Sequence, residues 1–220
     1  MGEDQKLWDA YNLLTTGPDV ERLRKILVRA EFFRRVLEIP GDIVECGVFK
    51  GSGLLLWAKL LAIFAPGSNK KVIGFDLFQG FADHAEEGEQ SAVRELLDEA
   101  NYPEDFSPAH IEAYLRAAGQ EPRCRLVPGD IQHTGAAYCA SHPGFRISLL
   151  HLDFDLAAPT EAALEVFWPR LARGGLVLFD EYAVDKWTES QAVDRFFAQE
   201  EVVLKTLPWA RTPTAYLIKP

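Results

Sequence analysis

The sequence predicts an α/β fold in which a mostly parallel sheet carries helices on both faces. Three observations predict it. Short apolar runs of strand length alternate with longer stretches of helical periodicity along the 220 residues. The first strand and the apolar helix that follows it both read as buried, as elements of a sheet covered on both faces are. Several of them end on a glycine turn or an acidic residue, the place where such sheets hold ligands.

The elements follow in order. Residues 1–40 read as N-terminal helices. Pro18-Asp19 opens a segment with Leu23, Ile26, Leu27, Ala30, Phe33, Val36 and Leu37 at helical spacing, and Pro40-Gly41 closes it. Asp42 to Cys46 is a buried strand, followed by a glycine-bearing turn from Gly47 to Gly53. The next helix, Leu54 to Phe64, is apolar on nearly every face and is expected to be largely buried. Lys71 to Phe75 forms a second strand with Asp76 at its end. Residues 84–119 break the rhythm, with nine acidic residues against Arg94 and Arg116. They read as two helices around Pro103, inserted over the sheet edge as a lid. The alternation then resumes with strands at Arg125–Val127, Ile147–Leu152 and Leu176–Phe179. A helix from Thr160 to Leu171 should break at Gly174-Gly175. A last helix over Glu189–Glu200 and strands at Val202–Lys205 and Thr214–Ile218 complete a single domain over 1–220.

Composition narrows the function. With 48% hydrophobic and 25% charged residues the chain is ordinary globular protein. A net charge of −10 repels phosphate backbones and anionic lipid, so neither nucleic acid nor a membrane surface is an expected partner. No apolar run approaches the roughly 20 residues of a membrane span, and the N-terminus lacks the pattern of a signal peptide. Cys46, Cys124 and Cys139 are odd in number and far apart, which fits the reducing cytoplasm rather than a disulfide framework or a zinc knuckle.

The strand ends carry the chemistry. The first leads into Glu45-Cys46-Gly47-Val48-Phe49-Lys50-Gly51-Ser52-Gly53, whose glycines let backbone approach a ligand closely. The spacing matches neither GxGxxG nor GxxxxGK[ST], so it is neither a dinucleotide fingerprint nor a P-loop. Asp76 stands where a carboxylate could grip ribose hydroxyls, or could cap its loop. Asp130, with Ile131, could accept from an adenine amino group or cap the following helix. Leu152-Asp153-Phe154-Asp155 and Phe179-Asp180-Glu181-Tyr182 bring carboxylates to the ends of two successive strands. At 4 Å and an effective dielectric near 20, two bare carboxylates repel by about 4 kcal/mol, which a hard cation such as Mg²⁺ would relieve. Both Asp180 and Glu181 can approach one ion only if the chain leaves strand geometry after Phe179.

With these residues in view the chain resembles the class I S-adenosylmethionine-dependent methyltransferases, and more finely the macrocin-type sugar O-methyltransferases of natural-product biosynthesis. The likeness rests on Pro40 through Gly51, on Asp76-Leu77-Phe78-Gln79-Gly80-Phe81, on Leu152 through Leu156, and on Thr160, Pro169, Leu171, Gly174-Gly175 and Asp180-Glu181-Tyr182. It spans roughly residues 20–200 in motif order. The resemblance implies a Rossmann-like sheet. It also implies that Glu45, Gly47, Val48, Phe49, Lys50, Gly51 and Ser52 hold the methionyl part of S-adenosylmethionine, with Asp76 on the ribose and Asp130 and Ile131 on the adenine. Asp153, Asp180 and Glu181 match positions that hold a divalent metal, and a homo-oligomer is implied too, with the N-terminal helices as contacts. Two departures stand out: the family usually has Asp-Asp where this chain has Asp180-Glu181, and the tail from Ala183 to Pro220 has no histidine to serve as base. Asp153, or a metal-bound oxygen, is therefore the default proton acceptor for a small-molecule hydroxyl.

Phe81, His84 and Tyr182 are candidates for the substrate side, whereas His151, inside a strand, reads as a core or face residue. The rival readings are a phenol or catechol O-methyltransferase, a nucleotide-dependent oxidoreductase, and a non-catalytic S-adenosylmethionine-binding protein.

Overall fold

A computed structural model describes residues 2–79, 85, 88–103 and 106–220. Its six-stranded sheet consists of β1 (Asp42–Cys46), β2 (Val72–Asp76), β3 (Cys124–Pro128), β4 (Ile147–Leu152), β5 (Leu171–Phe179) and β6 (Ala215–Ile218). The spatial order is β3-β2-β1-β4-β5-β6, with all neighbours parallel except β5 and β6. The chain steps outward from β1 to β3, then returns to lay β4 on the other side of β1. That reversal opens a crevice at the carboxyl ends of β1 and β4.

Two apolar cores lie on the two faces of the sheet. On one face α2 (Glu21–Arg35), α3 (Ser52–Phe64) and α5 (Pro108–Ala117) pack Phe32, Phe33, Trp57, Leu61 and Ile111 against Ile43, Val72 and Leu149. On the other, α6 (Ile131–Ser141), α7 (Ala157–Phe167) and α8 (Glu189–Phe196) cover Val44, Phe75, Leu150 and Val177. All six residues of β4 are buried, which is why Ile147 to Leu152 is apolar apart from Ser148 and His151. Helix α3 buries Leu54, Trp57, Ala58, Leu60 and Leu61, but Ile63 and Phe64 at its end are exposed, so its burial fades toward the C-terminus. Each fully buried large side chain contributes roughly 1.5–3 kcal/mol.

The insertion forms two helices, as its pattern predicts: α4 (Gln90–Glu99) and α5. Helix α4 sets Val93 and Leu97 against Ala85, Leu156 and Trp187. Helix α5 sends Ile111 and Leu115 into the main core, so this half of the insertion is part of the folded body. N-terminal helix α1 (Glu3–Thr16) leaves Leu7, Trp8, Tyr11 and Leu13 exposed.

Three sequence expectations are corrected. Helix α7 ends at Phe167, and after a 3₁₀ turn Gly174-Gly175 lie inside β5 rather than breaking a helix. Gly175 is tolerated there because β5 presses closely on the Ser148 carbonyl, and the β4–β5 register shifts at this point. The segment Val202–Lys205 makes only an isolated bridge from Lys205 to Tyr216, not a strand. Helix α8 stops at Phe196, four residues earlier than its apolar pattern suggests. Among the described residues no helix is long and apolar enough to cross a membrane.

Candidate active site

The glycine turn after β1 is held from below by Asp76. The carboxylate Oδ2 of Asp76 accepts the Val48 and Phe49 backbone N–H groups at 2.7 and 2.8 Å, and Oδ1 accepts that of Phe78 at 2.7 Å. Burial pushes the Asp76 pKa up, against the pull of these three donors. Asp76 therefore ties the turn to the end of β2, and of its about four acceptor sites three are used by donors among the described residues. Its backbone carbonyl accepts from Gly129, which brings the Gly129-Asp130 loop alongside. Asp130 caps α6 by accepting the Gln132 N–H at 2.9 Å, and Ile131 behind it is buried.

Gly47 has φ of +87° and lies so close to the Asp153 carbonyl that any side chain would overlap it. Gly51 starts α3 in the left-handed region beneath Ile111, and Ser52 is exposed at the helix start. Phe49 packs at a tilt against Tyr102, ring centroids 5.0 Å apart, while Lys50 Nζ donates to the carbonyls of Ala100 and Asn101 at 2.5 and 2.9 Å. Lys50 thus clasps the turn to the end of α4. At its other side α4 is held by Lys186, which pairs with Glu95 at 2.8 Å, and by Thr188, which bonds Glu89. The insertion therefore bridges the glycine turn and the loop after β5.

Glu45 does not face the turn openly. Its Oε1 accepts from Trp57 Nε1 and meets His151 Nδ1, both at 3.2 Å, with Arg29 of α2 at 3.8 Å. A Cβ at Gly53 would overlap this same oxygen, so a larger residue there would displace the Glu45 carboxylate. Oε2 of Glu45 is buried and meets no donor among the described residues.

His151 is fully buried and joins the two halves of the site. Parallel register sets it beside Glu45, and its Nε2 reaches Asp180 Oδ1 at 3.1 Å. Burial alone would lower its pKa, but hydrogen bonds to Asp180 and Glu45 override that and raise it to about 9. Asp180 is the mirror image: burial would raise it, and the bond from His151 brings it below the usual range. An imidazolium between two carboxylates is thus the buried centre of the crevice. Sequence reasoning took His151 for a core residue; the polar pair Glu45 and His151, each inside an apolar strand, was the available signal.

The Asp153 N–H donates to the Cys46 carbonyl at 2.9 Å and the Asp180 N–H to that of Leu152 at 3.0 Å, extending the parallel ladder one step past the strand ends. Side-chain atoms of His151, Asp153 and Asp180 all lie within 4.8 Å of one another. Burial, and then the charge of Asp180, push Asp153 well above the usual carboxylate range. The chain leaves strand geometry at Asp180, as a shared site requires. Glu181 nevertheless stays outside the tight group, half-buried. Burial and the charges of Asp180 and Asp153 raise its pKa to about 7. Asp155 was not singled out from sequence. It is buried at φ +65°, and burial with the charges of Glu181 and Asp180 raises it to about 7. Tyr182 turns to α8, donating its hydroxyl to Asp194 at 2.8 Å and packing on Phe179. Phe81 and His84 lie outside the described residues.

The site fits a hard divalent cation. His151 bonds Asp180 and orients it, and ligand atoms of His151, Asp153 and Asp180 come within 4.8 Å of one another, with Glu181 and Asp155 nearby. Like charges this crowded hold protons in the absence of a counter-cation.

The mostly parallel six-stranded sheet with its flanking helices matches the Rossmann-like methyltransferase fold. A family model described as Macrocin-O-methyltransferase (TylF) matches residues 18–209, and the chain belongs to that family. It is 29% identical over 151 residues to the 8-demethyl-8-(2,3-dimethoxy-alpha-L-rhamnosyl)-tetracenomycin-C 4'-O-methyltransferase of Streptomyces olivaceus, covering 67% of this chain and 55% of that one. It is 25% identical over 172 residues to the mycinamicin III 3''-O-methyltransferase of Micromonospora griseorubida, covering 75% of this chain and 65% of the relative. The chain thus spans less than two thirds of the length of these relatives. Among solved structures, the apo form of CalS11, a TDP-rhamnose 3'-O-methyltransferase of calicheamicin biosynthesis, superposes with a TM-score of 0.70 at 30% identity, covering 99% of this chain and 95% of that one.

Proposed function

We propose that this protein is an S-adenosylmethionine-dependent O-methyltransferase that methylates a sugar hydroxyl of a natural product or of its sugar precursor, with a divalent cation such as Mg²⁺ at the carboxylate cluster. The observation that carries the reading is the convergence at one sheet edge of the Asp76-tied glycine turn with Asp153 and Asp180. Family membership and the sugar-modifying relatives support the substrate class.

In this reading the turn from Gly47 to Ser52 and the remaining acceptor site of Asp76 receive the cofactor, with Asp130 and Ile131 at its adenine end. Methyl transfer from a sulfonium is an in-line displacement: the acceptor O–CH₃ bond forms as the S–CH₃ bond breaks, and the hydroxyl proton leaves. The chain has mainly to align the hydroxyl and take its proton. Asp153, beside the Gly47 turn, is placed to take it once ionised. His151 fixes the Asp180 carboxylate, and α4 with α5 exclude water from the crevice as a lid. A bound divalent cation would supply positive charge that ionises the cluster and lowers the pKa of the attacking hydroxyl.

We further place the protein in the cytoplasm, where its three free cysteines would stay reduced. We infer a homo-oligomer formed through α1, whose exposed Leu7, Trp8, Tyr11 and Leu13 lie upstream of a cleft lined by Leu23, Leu27 and Trp209. Thermal shift with S-adenosylmethionine, with NAD and with Mg²⁺ tests the cofactor. Stabilisation by S-adenosylmethionine is expected, and stabilisation by NAD alone would overturn the reading.

A further inference from the structure

We propose that Glu189, the first residue of α8, is a further acidic residue of the cation site, offering its Oε2. The inference rests on the reading of the carboxylate cluster as that site. Glu189 is fully buried, with 0% of its surface exposed, an unusual place for a carboxylate without a counter-charge. Its Oε1 accepts the backbone N–H of Glu181 at 3.2 Å, so the side chain reaches back from α8 to the end of β5. Its Oε2 is buried and meets no donor among the described residues. The charges that bear on this carboxyl are those of Asp180, Asp153 and Asp155, the same residues that crowd the cluster. The backbone binds the arrangement together, since the N–H groups of Thr188 and Glu189 both donate to the Asp155 carbonyl, at 3.1 and 3.2 Å.

A residue needed only to hold the Glu181 N–H would do so as glutamine, whose carbonyl accepts the same bond in the same volume. Burying a second, unpartnered carboxyl oxygen beside three other carboxyl groups is costly, and a divalent cation is the ligand that offsets it. Glu189 also bears on the departure at position 181. Like Glu181, Glu189 stands outside the tight group of His151, Asp153 and Asp180, so a bound cation has to draw its buried Oε2 inward on that side of the site.

The test is Mn²⁺ binding to the purified full chain, followed by calorimetry and by the electron paramagnetic resonance signal of free Mn²⁺, in wild type, Glu189→Gln and Ser190→Ala. Ser190 Oγ accepts the Ala183 N–H at 2.7 Å, so its removal loosens the same loop without touching a charge. The expected result is one Mn²⁺ per wild-type chain, with affinity at least tenfold weaker in Glu189→Gln and little changed in Ser190→Ala. S-adenosylmethionine affinity and melting temperature in EDTA should hold in Glu189→Gln, which shows that it folds. Wild-type affinity in Glu189→Gln would overturn the inference and leave the cation site intact. An equal loss in Ser190→Ala would also overturn it, because loop order would then be the cause. Absence of Mn²⁺ binding by the wild type would overturn the cation reading itself, and this inference with it.

Discussion

Replacing His151 by phenylalanine perturbs the buried centre without removing its bulk. The ring keeps its place edge-on to Trp57, now 6.0 Å from the imidazole, while both polar contacts vanish. Asp180, at 3.1 Å, then loses its hydrogen-bonded cation and keeps only the more distant charges of Arg29 and Lys25, and Glu45 retains Trp57 and the more distant Arg29. Breaking a buried ion pair from one side costs about 3–5 kcal/mol. An independent route gives a similar figure. A histidine raised from 6.5 to about 9 in the folded state contributes about 3 kcal/mol, at 1.36 kcal/mol per pH unit. The sign follows from linkage: this contribution is complete below the unfolded pKa near 6.5 and is lost as pH rises through about 9. Urea unfolding of both proteins in EDTA from pH 6 to pH 10 should show a gap of roughly 3 kcal/mol at the acid end that narrows steadily above pH 7. A gap below about 1 kcal/mol, or one that does not change with pH, would refute the charged bridge.

Other consequences are open to direct measurement. Asp155 and Glu181 hold protons in the folded state up to about pH 7 that the unfolded chain releases near 4, so apo stability should fall as pH rises between these values. The melting shift on adding Mg²⁺ should grow over the same range, and a shift independent of pH would count against a cation at this cluster. Asp76→Ala removes three charge-assisted bonds of roughly 1.5–3 kcal/mol each, so it should lower the melting temperature and weaken S-adenosylmethionine binding together. A lowered melting temperature with unchanged affinity in calorimetry would leave Asp76 as a loop tie alone. Removing residues 1–16 should leave the fold and cofactor binding intact while reducing the mass seen in light scattering, and an unchanged mass would put the subunit contact elsewhere.

What was legible in the sequence was local. Asp42–Cys46 and Ile147–Leu152 declare themselves as buried strands because a sheet covered on both faces is lined mainly by apolar residues, and both match the observed bounds. The glycine turn and the acidic strand ends were legible for the same reason, since position within the βα unit sets what they can face. Misreadings came where tertiary context overrules local preference. Gly174-Gly175 look like a helix stop but sit in β5, and Val202–Lys205 have strand composition without a partner beyond one bridge. His151 and Glu189 were missed because their meaning lies in partners far along the chain. His151 meets Glu45, 106 positions away, only through parallel register, and Glu189 reaches Glu181 only because the chain doubles back from β5 into α8. Lid deletion illustrates the same limit: excising 84–119 would tear Ile111 and Leu115 from the core, so the insertion is better probed at Lys50 or Lys186.

The most direct test of the central claim is transfer of labelled methyl from S-adenosylmethionine to a panel of deoxysugar acceptors, free, nucleotide-linked and attached to an aglycone. It should be run with Mg²⁺, with EDTA and with the Asp153→Asn protein. The account predicts a methyl ether on one sugar hydroxyl with Mg²⁺. It predicts no turnover in EDTA or in Asp153→Asn, with S-adenosylmethionine still bound in both. Full turnover in EDTA together with an active Asp153→Asn protein would contradict it.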